Sequence, residues 1–203
     1  MGVYLPEIDS GVNGSPYKTT FGNESMFLTE LQFDSQFYNG FGTAGVGLTV
    51  GLMDITGESV NADGTTSVDK TELNLLPMRL SLVYRFDVLA VDLDLPIVPV
   101  FKAGLDYYIW WITSGQGDIA TFNNGGSTDN AIGGTLGWHA SMGIYILLDW
   151  FDEVSADTLL FDFGIANTYL FADFTIYQVD DFGSSESFNF SDQNVMFGIA
   201  FEY

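Results

Sequence analysis

The sequence predicts an all-β protein: one eight-stranded antiparallel β-barrel of the transmembrane, outer-membrane type, with its first strand truncated. Three observations carry this. Apolar and polar residues alternate with a period of two in segment after segment, as in a ribbon with one face in hydrocarbon and the other in a polar interior. The connections between those segments are short and long by turns. The chain then ends with Val195, Phe197, Ile199, Phe201 and Tyr203 on one face of a strand and Asn194, Met196, Gly198, Ala200 and Glu202 on the other.

Gly2–Leu5 reads as the end of a first strand. From Met26 to Tyr38, Phe27, Leu31, Phe33 and Phe37 share one face, and Glu30, Gln32, Asp34 and Gln36 the other. Asn39-Gly40 follows, a dipeptide suited to a two-residue hairpin because both residues tolerate positive φ. Phe41–Met53 sets Ala44, Val46, Leu48, Val50 and Leu52 against Thr43, Gly45, Gly47, Thr49 and Gly51, small residues that leave room inside a narrow barrel. Leu73–Asp87 alternates Leu76, Met78, Leu80, Leu82, Tyr84 and Phe86 with Arg79, Ser81 and Arg85. Ile97–Thr113 places Phe101, Ala103, Leu105, Tyr107, Ile109 and Trp111 opposite Lys102, Asp106 and Tyr108. Thr135–Leu148 places Leu136, Trp138, Ala140, Met142, Ile144, Ile146 and Leu148 opposite His139, Ser141 and Tyr145. Leu159–Tyr177 is the least regular: its apolar parity passes from Phe161, Phe163 and Ile165 to Ala172, Phe174 and Ile176, which a β-bulge near Asn167–Leu170 would explain. Gln193–Tyr203 is the eighth strand, and eight is the smallest common barrel of this class.

Long Gly/Ser/Asn/Asp-rich loops are expected near residues 6–25, 54–72, 114–134 and 178–192, and short connections at Asn39–Gly40, Val88–Pro96 and Asp149–Thr158. An even strand number puts both termini on the short-connection side. In a bacterial outer membrane that side is periplasmic and the long loops are extracellular.

Composition bounds the reading. The 203 residues amount to one domain, 1–203. Without cysteine there is neither a disulfide framework nor a thiolate metal site. No apolar run approaches the roughly 18 residues of a helical span; Ile144–Leu148, for example, is ended by Asp149, so only strands could cross a bilayer. No basic-then-apolar leader precedes Gly2, so the chain is expected to be a processed form with an added Met, or a fragment beginning inside its first strand. A formal charge of -22 with 5 basic residues argues against a nucleic-acid partner, which clustered Lys and Arg would have to hold. Aromatics at 16% argue against disorder despite that acidity.

Several phrases, in this order, carry a family resemblance: Val3-Tyr-Leu-Pro-Glu-Ile-Asp9, Leu73-Asn-Leu-Leu-Pro77, Phe86-Asp-Val-Leu-Ala90, Pro96-Ile-Val-Pro99, Lys102-Ala-Gly-Leu105, Trp110-Trp-Ile112, Asn167-Thr-Tyr-Leu-Phe-Ala172 and Gly198-Ile-Ala-Phe-Glu202. The chain resembles a family of small, largely uncharacterised outer-membrane β-barrel proteins typical of myxobacteria and related deltaproteobacteria. The resemblance implies the location and the fold, with a signal peptide and the start of strand one ahead of Gly2, and implies no mechanism. The C-terminal spacing also resembles the assembly signal of bacterial outer-membrane proteins, met here by Gly198, Phe201 and Tyr203, with Met196 departing from the polar first position. That signal implies the barrel-assembly machinery as a partner during insertion.

The candidate site is an interior charge cluster of Glu30, Asp34, Arg79, Arg85, Lys102, Asp106 and His139. Charges taken out of water must pair, so the cluster is expected to close the lumen with ion pairs; the alternative is a narrow passive channel for small solutes or ions. His139, Ser141 and Glu153 superficially resemble the His/Ser/Glu set of lipid A deacylases, a remote hydrolase alternative because Glu153 falls in a turn away from the other two. The loops carry many carboxylates, including Asp63 and Glu186, which could meet divalent cations alone or bridged to lipopolysaccharide phosphates; Asn61-Ala-Asp-Gly64 has the flavour of a calcium turn without the rest of an EF-hand. Gly115–Gly117 and Gly125–Gly126 read as loop flexibility rather than a phosphate cradle. The expectation is therefore a non-enzymatic outer-membrane protein, without cofactor or resident metal, in a structural or surface-interaction role. Its expected partners are membrane lipid, lipopolysaccharide, cations at the loops or an external protein.

Overall fold

The structure, a computed structural model, describes residues 1–9, 16–22, 24–60, 66–124, 127–184 and 187–203; the calcium-like turn at 61–64, Gly125–Gly126 and Glu186 lie outside them. The strands are β1 (Gly2–Tyr4), β2 (Met26–Gly40), β3 (Gly42–Val60), β4 (Thr66–Arg85), β5 (Ile97–Ser114), β6 (Thr121–Asn124), β7 (Ser127–Asn130), β8 (Ile132–Leu147), β9 (Asn167–Val179) and β10 (Asp192–Glu202). Among the described residues three helices join them, α1 (Pro16–Phe21), α2 (Val88–Val91) and α3 (Glu153–Phe163). Eight strands close into an antiparallel ring in the order β1-β10-β9-β8-β5-β4-β3-β2, while β6 and β7 form a separate hairpin.

Alternation decides which face each side chain takes. Leu48, Leu80, Leu82, Leu105, Met142, Ile144, Phe197 and Ile199 point outward and are exposed, whereas Thr49, Arg79, Ser81, Lys102, Asp106, His139, Asp173 and Asn194 are buried inside. This inverts the usual disposition of apolar and polar groups, and the outward apolar rows are far larger than the few hundred Å² patch of a typical soluble monomer.

The strand over Leu159–Tyr177 with a bulge near Asn167 is corrected. Residues 153–163 are helix α3, and β9 starts at Asn167 with an unbroken register against both neighbours. The parity change marks a change of element. Asp152 caps the helix by accepting the Ser155 amide at 3.1 Å, and Gly164, at φ 74°, ends it in the left-handed conformation that glycine adopts without strain. The connection expected at Asp149–Thr158 therefore continues through α3, and Val88–Pro96 contains α2.

The long connections also hold more strand than expected. The β3–β4 ribbon continues to Glu58↔Lys70, where opposite charges face each other across the ladder, and on to Val60↔Thr66. The β6–β7 hairpin occupies much of 114–134. The β2–β3 turn centres on Phe41, with Gly42 at φ 87°, instead of on Asn39-Gly40, which pair as strand residues with Thr43 and Gly42.

The ring is uneven. β1 pairs Gly2, Val3 and Tyr4 with β2 and only Gly2 with β10. Phe197 adds a contact to Met1, receiving the Met1 ammonium on its carbonyl at 2.6 Å and donating its amide to the Met1 carbonyl at 2.9 Å. Beyond that, Leu31–Gly40 of β2 and Gly198–Glu202 of β10 face each other across a seam with no strand between them among the described residues. One side-chain hydrogen bond crosses it, from Gln36 Nε2 to Glu202 Oε1 at 2.8 Å.

Candidate functional site

The interior is filled in two layers. At the long-loop mouth, Tyr4, Tyr108, Tyr177 and Phe190 are buried together with Ile8, Tyr17, Met53, Ile55, Leu73 and Leu75, with Phe21, Trp110 and Phe188 packed against them. Part of the stopper is chain that sequence periodicity does not cover. Residues 5–9 and α1 fold back over the ring, where Asp9 accepts the amides of Tyr17 at 2.8 Å and Lys18 at 2.9 Å. The β9–β10 connection inserts Phe190, whose carbonyl accepts the Tyr4 hydroxyl. Phe188 packs edge-on to Trp110 at 4.6 Å between centroids. Burial pushes the Tyr17 hydroxyl up to about 12, with the Asp9 and Glu24 carboxylates adding to the shift.

Beneath the stopper runs a ladder of pairs. Arg79 on β4 meets Glu30 on β2, donates to the Tyr177 hydroxyl at 2.7 Å and lies 5.1 Å from that ring's centroid. His139 Nδ1 is 2.8 Å from Asp106 Oδ1, and its Nε2 is 3.0 Å from Ser81 Oγ. Lys102 Nζ donates to Asp173 Oδ2 at 2.7 Å and to Gln32 Oε1 at 3.0 Å, and lies over the Tyr145 and Phe171 rings. At the short-connection end Arg85 lies 3.4 Å from Glu202, which also accepts from Asn167 and Tyr169 at 3.0 Å each.

Glycines make these reaches geometrically open. Gly104 stands between Ser81 and His139 in the ladder, where a Cβ would strike the Leu80 carbonyl; its bare backbone lets Ser81 reach across β5 to the imidazole. Gly143 lies opposite Asp173, and a Cβ there would meet that carboxylate, so the absent side chain is what leaves Asp173 room to face Lys102.

Of the residues expected from sequence, Glu30, Arg79, Lys102, Asp106 and His139 face the buried interior, and Arg85 sits at its partly open end. Asp34 stands apart: it is exposed at the seam, and its carboxylate accepts from Gln32 Nε2 at 2.7 and 2.9 Å. Asp173 and Glu202 complete two of the pairs. Asp173 falls between Ala172 and Phe174 of the apolar parity, so counting by twos back from Tyr177 puts it on the inner face, although the expected cluster lacks it. Gly198 leaves room for the Phe171 ring opposite it, while Phe201 and Tyr203 point out from the rim.

The set His139, Ser141 and Glu153 is not assembled. Glu153 opens α3 at the rim, Ser141 shares a rung with Lys102 and Thr175, and the imidazole turns to Ser81 and Asp106. A carboxylate can only accept, so Nδ1 carries the proton toward Asp106, and Nε2 of a neutral ring accepts from the Ser81 hydroxyl. This is the hydrogen-bond order of nucleophile, base and orienting acid. Ser81 is only 4% exposed, however, so an acyl group has no route to it in this conformation. No cluster of His, Cys, Asp and Glu among the described residues could hold a metal ion.

Comparison with protein-family models, with curated proteins and with solved structures finds no match to this chain.

Proposed function

We propose that the protein is an outer-membrane β-barrel in a structural or surface-interaction role, with a lumen closed by paired charges below and an aromatic stopper above. The single observation that carries this reading is the inverted alternation of the ring, with exposed leucine, isoleucine and phenylalanine rows outside and paired charges inside. In water such rows drive aggregation; in hydrocarbon they are the surface that the solvent requires. The long-loop end bears the acidic loops, whose composition suits an external protein, a cation or lipopolysaccharide as partner. The C-terminal Gly198, Phe201 and Tyr203 agree with delivery by a barrel-assembly machinery.

A second reading, a narrow conduit, has its own observation. Asp106 Oδ2, the Tyr108 and Thr135 hydroxyls and both polar atoms of the Asn194 side chain are buried without a hydrogen-bond partner among the described residues, and groups of this kind commonly bind internal water. Planar-bilayer recording separates the two. The closed reading expects a flat baseline at single-protein resolution after insertion; steady steps that scale with salt would replace it with the conduit. Partition of the folded protein into the aqueous phase as a detergent-free monomer would end both.

A further inference from the structure

α3 mixes Val154, Leu159, Leu160, Phe161 and Phe163 with Glu153, Asp157 and Asp162, and none of the described residues covers much of its surface. It is tied to the rim at both ends. The Leu148 amide donates to the Thr168 carbonyl at 2.8 Å before the helix, and the Ala166 amide donates to the Glu202 carbonyl at 2.6 Å after it. Ala156 and Leu159 are half-buried, but Val154 and Phe161, seven residues apart and so two turns along one stripe, are 78% and 84% exposed. Trp150 and Phe151, packed edge-on at 5.0 Å, lead into the helix and are exposed too.

We propose that α3 lies on the lipid surface, with Val154 and Phe161 inserted at the boundary between headgroups and acyl chains and the Trp150–Phe151 pair anchoring its start. This rests on the membrane reading above and deepens it. The occupant follows from continuity: the stripe begins where β8 and β9 meet the rim, and the outward residues there, Leu148, Leu170, Phe201 and Tyr203, are exposed as well. Whatever bathes those rows also reaches the helix. Charge narrows the class of lipid. Asp149, Asp152, Glu153, Asp157 and Asp162 stand in this segment with no Lys or Arg between Leu148 and Ala166, so the helix suits zwitterionic headgroups and is repelled by anionic ones.

The absence of cysteine from the sequence makes the test clean. Four single-cysteine variants, Leu48→Cys on the outward face of β3, Val154→Cys, Phe161→Cys and Asp162→Cys, are nitroxide-labelled and placed in nanodiscs of phosphatidylcholine. The relaxing effects of oxygen, which concentrates in lipid, and of a water-soluble nickel chelate are then compared. The proposal expects labels at 154 and 161 to favour oxygen over nickel several-fold more than the label at 162, with the label at 48 favouring it most. If 48 favours oxygen while 154 and 161 favour nickel, the helix stands in water; the inference falls and the membrane reading stays. If 154 and 161 are shielded from both relaxants, a protein surface covers them, and the inference falls likewise. If 48 itself favours nickel, the membrane reading fails and takes the inference with it.

Discussion

Replacing Asp173 by asparagine isolates the Lys102 charge while changing almost no volume. The carboxylate is 2.7 Å from Nζ, both side chains are buried, and the Tyr145 hydroxyl adds a weaker contact to the same oxygen at 3.3 Å. Breaking a buried pair from one side leaves an uncompensated charge and costs ~3–5 kcal/mol. Lys102 would keep its hydrogen bond to Gln32 and the faces of Tyr145 and Phe171, and cation–π contacts contribute ~0.5–2 kcal/mol. The expected loss is therefore at the lower end, about 3 kcal/mol. The double variant Lys102→Met/Asp173→Leu removes both charges and should return to within about 1 kcal/mol of the parent, because an apolar pair needs no desolvated partner. Urea unfolding in detergent micelles, followed by tryptophan fluorescence, measures all three proteins. A loss below about 1 kcal/mol for Asp173→Asn would show that water reaches this rung and would overturn the proposal of a closed lumen.

Other outcomes follow from the same geometry. Phe190→Ala empties a fully buried site in the stopper and should lower stability by ~3–5 kcal/mol in the same unfolding assay, with protease sensitivity rising in the connection from 180 to 191. Gly143→Ala pushes a methyl into the Asp173 carboxylate and should cost ~1–3 kcal/mol; combining it with Asp173→Leu should give a non-additive result, since the clash is with the group removed. Tyr17 ionises near its ordinary value, 10.0, once unfolded and at about 12 when folded, so its contribution is complete below about pH 10 and is lost as pH rises toward 12. Difference titration at 295 nm between the parent and Tyr17→Phe should show this group ionising about two pH units above free tyrosine. Asp152 titrates below its ordinary value because the Ser155 hydroxyl and amide hold its carboxylate. Acidification through that depressed value should fray the start of α3, which amide exchange at Ser155 reports.

Much of the ring could be read by counting in twos, because a strand with a filled interior on one side and apolar rows on the other admits no slip of register. The interior cations of β4 and β5 followed directly. α3 did not, because Phe161, Phe163 and Ile165 happen to alternate and their acidic, serine-containing lead reads as a turn; the Asp152 cap and Gly164 stop were the available signals. The stopper was invisible for another reason: Tyr17 and Phe190 belong to segments with no periodicity, and only the folded ring creates the mouth they fill. Ser81 could be assigned to the inner face but not to His139, since that contact depends on which strands become neighbours and on the missing side chain of Gly104.

A hoop holds longest at its tallest stave. Between β3 and β4 the ladder runs from Thr43↔Arg85 to Val60↔Thr66, while β9 and β10 meet only from Asn167↔Glu202 to Tyr177↔Asp192. On warming, the β3–β4 ribbon is therefore the part of the ring whose amides exchange last, and the shorter β9–β10 ladder gives way before it.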